Sequence, residues 1–195
     1  AGVVEAVEPE SSPAQSVLQA FPDPSGPPIL LVTTCDHPLL SSAMVRELLD
    51  AFEESGADAV AGIVNTNTIR ARYPNIKRTA IRFRDGPMTG CNLFAFRGDA
   101  GASVVRYWTR LEGHRKKPLR MARSVGIVTL LLYAAGWLTL DGALERLGRR
   151  LGVRLLAARL TDIHAGIDVD TPEDLEAVQK IFAARMSQND PRIAL

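Results

Sequence analysis

A turn cluster, Pro22 to Pro28 (PDPSGPP), runs directly into an uncharged stretch, Ile29-Leu30-Leu31-Val32-Thr33-Thr34. Nothing else in the chain restricts its fold so strongly. A short β-branched run bounded by turn residues predicts a fully buried strand, parallel and central in its sheet. The next thirty residues set the class. Ser41 or Ser42 offers an N-cap, Met44, Leu48, Leu49 and Phe52 recur on one helical face, and Gly56 supplies a stop. Ala59 to Val64 then returns to strand character. Strand, helix and strand at this spacing form a βαβ unit, so the chain belongs to the α/β class.

Further along, Thr79 to Arg84 alternates apolar and charged residues, Asp85-Gly86 turns the chain, and Asn92 to Phe96 forms a short strand. This pattern predicts a half-exposed hairpin added to the sheet. Helices are predicted from about Ala102 to Leu111 and, after a Thr139 cap, from Leu140 to Leu151, with a late strand over Val153 to Arg159. Tyr107 and Trp108 lie within an apolar helical face, which predicts core packing. In the last helix Thr171 caps, Pro172 occupies the first turn and Asp174 completes a capping box, so Leu175, Val178 and Phe182 are expected to face the core. Val125 to Leu140 carries no charge. It is shorter than the roughly 20 residues of a membrane span and contains Gly126 and Gly136, so it predicts a buried helix pair broken near Gly136.

A length of 195 residues without repeats suits one domain with its own core. The only cysteines, Cys35 and Cys91, form no C-x-x-C pair and are expected to be buried apolar thiols. Ala1 to Glu10 is acidic and lacks the basic, then apolar profile of a signal peptide, so a reduced, cytoplasmic compartment is the default expectation. The net charge of +1 hides an asymmetry: residues 1–58 hold one base against ten acids, and residues 70–160 hold nineteen bases against five acids. A basic middle between acidic ends points to an anionic partner there. The run Arg115-Lys116-Lys117-Pro118-Leu119-Arg120 has too few aromatics for a nucleic-acid stacking surface, which leaves a solvated face or a phosphate clamp.

Two segments can carry chemistry. Thr34-Cys35-Asp36-His37-Pro38 follows the predicted buried strand, placing Asp36 at the carboxyl edge of the sheet, where open α/β sheets bind ligands. There Asp36 either caps a turn before the Ser41 helix or holds a magnesium ion that in turn holds phosphate oxygens. In Ile167-Asp168-Val169-Asp170-Thr171-Pro172, alternation puts Asp168 and Asp170 on one side of an extended segment. Capping is already satisfied by Thr171 and Asp174, so this surplus of carboxylate argues for a cation. Asn92, after Gly90-Cys91, serves either a bulge or a pocket wall. His37, His114 and His164 have no ligand spacing, and His37 is expected to be an ordinary loop residue.

Together, LLVTTCDHPLL and IDVDTPEDL resemble the first and last aspartate motifs of the MobA-like NTP transferases, a branch of the GT-A-type sugar-nucleotide transferase fold. TGCNLFAF is similar to that family's middle motif beside the acceptor. The likeness spans roughly Ser12 to Phe182. It implies a three-layer α/β/α, Rossmann-like domain over residues 1–195 with a mostly parallel mixed sheet. It implies nucleotidyl transfer: a phosphorylated small-molecule acceptor attacks the α-phosphorus of an NTP and pyrophosphate leaves. Asp36, Asp168 and Asp170 are then the catalytic and Mg2+-holding residues, and Gly90, Asn92, Arg115, Lys116 and Lys117 bind substrate. A GT-A glycosyltransferase and a non-catalytic module of the same fold are the alternatives. The family opens with a strand and a glycine-rich, Lys-bearing loop that cradles the triphosphate. Residues 1–15 contain neither, so the first strand and loop are expected to lie outside this chain, the alternative being that the nucleotide loop has been lost. No nucleic-acid partner and no transmembrane segment are expected; weak membrane association and oligomeric state stay open.

Overall fold

The computed structural model describes residues 6–21, 29–112 and 126–187. A single five-stranded sheet, flanked by helices, is built from β1 (Ile29–Thr33), β2 (Ala59–Asn65), β3 (Ile81–Phe83), β4 (Gly86–Arg97) and β5 (Leu155–Arg159). Its order is β1-β4-β2-β5, with β3 paired to β4. β4 runs antiparallel to both β1 and β2, whereas β2 and β5 are parallel. β1, β2 and β5 therefore share one direction, and β4 is inserted reversed between them. This is the mixed α/β sheet of a Rossmann-like transferase fold.

The helices are α1 (Pro13–Gln19), α2 (Ser42–Ser55), α3 (Thr66–Arg72), α4 (Gly98–Glu112), α5 (Ile127–Ala134), α6 (Leu140–Leu151) and α7 (Pro172–Ser187), with a 3-10 turn at Ile163–Gly166. Local chemistry sets several of their ends. The Ser41 side chain accepts from the Met44 N–H to start α2, and Gly56 stops it in the left-handed conformation. Thr139 caps α6 through the Gly142 N–H. Apolar spacing then decides which face is buried: Met44, Leu48 and Phe52 of α2 pack with Val60, Val64, Cys91, Leu93 and Ile167 in the main core. On the other side of the sheet, Ala14 and Val105 meet Phe96, and Trp108 of α4 packs on Phe94 with ring centroids 5.7 Å apart.

Four expectations are corrected. β1 is neither central nor fully buried. Among the described residues it pairs only with β4, and Leu31 is 39% exposed. Position in a sheet depends on distant strands, which a local apolar run does not encode. The uncharged stretch is not a buried helix pair either: α5 presents Ile127, Val128 and Leu131 to solvent at 60–67% exposure, although the chain does break at Gly136. On α7, Leu175 is 47% exposed, while Val178, Ile181 and Arg185 face inward. Lastly, Cys35 is exposed; only Cys91 is buried, and burial pushes its thiol up to about 12. The turn cluster Pro22–Pro28 and the basic run Arg115–Arg120 lie outside the described residues.

Candidate active site

At its carboxyl end β1 pairs Thr33 with Leu93 of β4, so Thr34-Cys35-Asp36 leaves the sheet at the level of Asn92. The carboxyl end of β5 leads to the 3-10 turn and then to Asp168. The Val169 N–H donates to the Asp36 carbonyl at 2.9 Å, which fastens the two aspartate segments together. Asp36 is half-buried, and its Oδ1 accepts from the Thr34 hydroxyl.

Asn92 reaches this edge through backbone geometry. Ala61 of β2 pairs with Phe94, but Ile63 pairs with Gly90, so β4 carries extra residues opposite Gly62. Asn92 sits in that bulge with φ of 50°, a left-handed conformation that asparagine tolerates better than most residues. Its Nδ2 donates to Asp168 Oδ2 at 2.9 Å. Bulge and site contact are thus one feature. Gly90 is exposed, pairs with Ile63 of β2, and has open space where a Cβ would stand.

Arg78, on the connection between α3 and β3, completes the cluster and had no signal in the sequence. Its guanidinium forms an ion pair with the Asp168 carboxylate, and its Nη2 donates to the Asp168 carbonyl at 3.4 Å. Its Nη1 stands 4.0 Å from Asp174 Oδ1. The Arg78 side chain is only 8% exposed, so this pair is largely enclosed. Asp174 divides its oxygens: Oδ2 accepts from the Thr171 N–H at 3.0 Å and the Thr171 hydroxyl at 2.8 Å, while Oδ1 faces Arg78. Asp170 is exposed, and among the described residues nothing hydrogen-bonds its carboxylate.

Beneath this cluster is a second polar layer. Tyr73 Oη and His164 Nε2 are 2.8 Å apart, and His164 Nδ1 donates to Asp162 Oδ1 at 2.6 Å. The other Asp162 oxygen lies 3.6 Å from Arg185. Burial works against the Asp162 carboxylate, but the hydrogen bonds from His164 and the Arg185 charge outweigh it, so its pKa lies below the ordinary value. His37 is not a loop residue on the surface. It is 5% exposed, and neither ring nitrogen has a hydrogen-bond partner among the described residues. Burial pushes its pKa down despite the nearby backbone of His164 and Ala165 and the neighbouring Asp36 carboxylate.

Among the described residues, no group of three or more His, Cys, Asp or Glu side chains is disposed to hold a metal ion. The site does not need such a cage. Magnesium typically takes one or two protein carboxylates and completes its shell with water and substrate oxygens. The charge of Asp168 is already met by Arg78, whereas Asp36 and Asp170 each keep a carboxylate oxygen free of protein donors among the described residues. Open carboxylate oxygens of this kind are the protein donors that magnesium takes. A cavity of about 480 Å³ between α6 and β5 lies instead at the amino ends of β2 and β5, lined by Asp58 and Arg154. That is the wrong end of such a sheet for its principal ligand.

The Rossmann-like sheet, with carboxylates gathered at its carboxyl edge, is that of a transferase domain. The chain belongs to the MobA-like NTP transferase domain family, whose model matches residues 1–154. The match stops short of the Asp168 segment, which the fold nevertheless brings against Asp36. Among solved structures, the chain is similar to a hypothetical transferase from Thermus thermophilus, at 35% identity and a TM-score of 0.69, over 83% of this chain and 67% of that one. No curated protein matches it. No helix among the described residues is long and apolar enough to cross a membrane.

Proposed function

We propose that this domain transfers a nucleotidyl group from an NTP to a phosphorylated small-molecule acceptor, releasing pyrophosphate. The observation that carries the reading is the Val169–Asp36 bond, which holds two acidic segments, about 130 residues apart in sequence, at one sheet edge. Family membership supports the same chemistry. Such transfers depend on positioning and charge neutralisation more than on a covalent nucleophile.

Within this reading Asp36 and Asp170 hold a magnesium ion, which when bound neutralises charge on the nucleotide phosphates. Asp168, oriented by Asn92 and Arg78, keeps the 167–170 segment in place. Arg115, Lys116 and Lys117 clamp the acceptor's phosphate. The test incubates the protein with each NTP, magnesium and phosphorylated acceptors while pyrophosphate is followed. Asp36→Asn preserves shape and removes charge, and it should lower kcat by at least about 10²-fold with an unchanged melting temperature. Pyrophosphate release that is indifferent to Asp36→Asn overturns the assignment. Transfer from a nucleotide sugar without pyrophosphate release places the domain among glycosyltransferases instead.

A further inference from the structure

The surface around α5 has no part in this chemistry. From Gly126 to Leu138 the chain carries no charged residue. Ile127, Val128 and Leu131 line one face of α5 at 67%, 60% and 64% exposure, and Trp137 beyond the Gly136 turn is 70% exposed. On the opposite side of α5, next to the buried Thr129, Tyr133 meets the Phe83 ring edge-on at 6.1 Å, which seats the helix on the β3–β4 hairpin and leaves the Ile127, Val128 and Leu131 face outward. Isolated exposed apolar residues are ordinary, but a contiguous apolar face led by a tryptophan marks an interaction surface.

The charges at its rim indicate the partner. Arg150 stands at the amino end of α5, its guanidinium 3.3 Å from where a Cβ on Gly126 would lie. At the other end the Arg84 N–H donates to the Leu138 carbonyl, which fixes Arg84 beside Trp137. Nearby, Arg159 pairs with both Asp85 and Asp141, a trio that keeps one negative charge. Among the described residues neither Arg84 nor Arg150 is in an ion pair, and together they outweigh that surplus carboxylate, so the rim is left cationic. Apolar helix face, exposed tryptophan and unneutralised arginines are the features of a segment that lies in a bilayer interface. Because α5 has only eight residues, it would lie along such a surface and not cross it.

We propose that the α5 face, with Trp137 and the arginine rim, docks this domain on an anionic lipid surface. The experiment is co-sedimentation of the intact chain with vesicles of phosphatidylcholine alone and of phosphatidylcholine mixed with phosphatidylglycerol. Tryptophan fluorescence is read in parallel, since Trp108 is packed in the core and Trp137 is exposed. Expected are selective binding to the anionic vesicles, weakening with added salt, and a blue-shifted emission that Trp137→Phe abolishes. Leu131→Gln with Trp137→Gln removes only exposed groups. It should leave the melting temperature unchanged and weaken partitioning by roughly tenfold or more. Arg84→Gln with Arg150→Gln should erase the preference for anionic lipid. The proposal is overturned by absence of binding, or by binding that survives the Leu131 and Trp137 changes. It is equally overturned if sedimentation without lipid shows a dimer that those same changes dissociate, for the occupant is then a second copy of the chain.

Discussion

Replacing Arg78 by Met tests the claim that an enclosed cation organises the acidic edge. Methionine keeps most of the arginine stem's packing and removes the charge. Taking one partner from a buried ion pair typically costs about 3–5 kcal/mol, because the survivor is left charged and uncompensated. Here the survivor's side chain is 20% exposed and keeps its Asn92 hydrogen bond, which lowers the expected cost to about 2–3 kcal/mol. For a domain of this size that corresponds to a fall in melting temperature of roughly 5–10 °C. Asp168→Asn alone should cost less, since Arg78 retains Asp174 at 4.0 Å. The combined variant leaves no unpaired charge at Asp168, so its destabilisation should fall short of the sum of the two by about 1–2 kcal/mol. Urea unfolding of the four proteins gives this coupling directly, and it should change little with salt because the pair is largely shielded. Strict additivity, or an Arg78→Met protein as stable as its parent, would falsify the reasoning.

Asn92→Ala loses a hydrogen bond to a carboxylate and places alanine at φ of 50°, so about 2–3 kcal/mol of stability should go, whereas Asn92→Gly, free of the backbone penalty, should cost less. Equal losses for the two would show that the left-handed backbone is irrelevant. His37 has a folded pKa below the ordinary histidine value of 6.5, so the unfolded chain takes up the proton first. Its contribution is therefore complete above about pH 6.5 and is lost as pH falls through the lower folded value. Denaturation measured between about pH 7 and 5 should show a shallower decline for His37→Phe than for the parent, and identical slopes would remove His37 as the cause. Phe52, fully buried beneath Arg97, should cost about 3–5 kcal/mol as alanine, read from the denaturation midpoint; a loss under about 1 kcal/mol would mean the α2 core is misassigned.

The parts of this fold that were legible in sequence are those with local causes. Ser41, Thr139 and Thr171 mark helix starts because a hydroxyl at the cap satisfies a backbone N–H within three residues. Gly56 stops α2 because only the left-handed conformation turns the chain there. What escaped depends on neighbours far away in sequence. That β4 is inserted between β1 and β2 makes β1 an edge strand among the described residues, and no property of Ile29–Thr33 announces it. The uncharged run at 125–140 records only that these residues lack charge. Whether a core, a membrane surface or another protein covers them is not written in their periodicity. The inward face of α7 differs from expectation for a related reason: the helix is oriented so that Asp174 meets Arg78 and Arg185 meets Asp162, which carries Leu175 outward.

At the site, the residues alone state a physical demand and leave its answer open. Of the two carboxylates beyond those needed for capping, any that the fold encloses must meet positive charge, because an enclosed, unpaired carboxylate is too costly to keep ionised. Either a metal ion or a guanidinium meets that demand, and Ile167-Asp168-Val169-Asp170 contains nothing that chooses between them. The fold chooses differently for each. Asp168 receives Arg78, a residue from a connection without periodicity, while Asp170 stays open to solvent. A carboxylate already neutralised by arginine gains less from a metal than an open one, so the two aspartates cannot be interchangeable even though one residue separates them. Arg78 also grips the Asp168 carbonyl and faces Asp174, so it ties the acidic segment to the first turn of α7 and fixes where Asp170 begins. The arginine that neutralises Asp168 is thereby also the residue that positions the segment carrying Asp170.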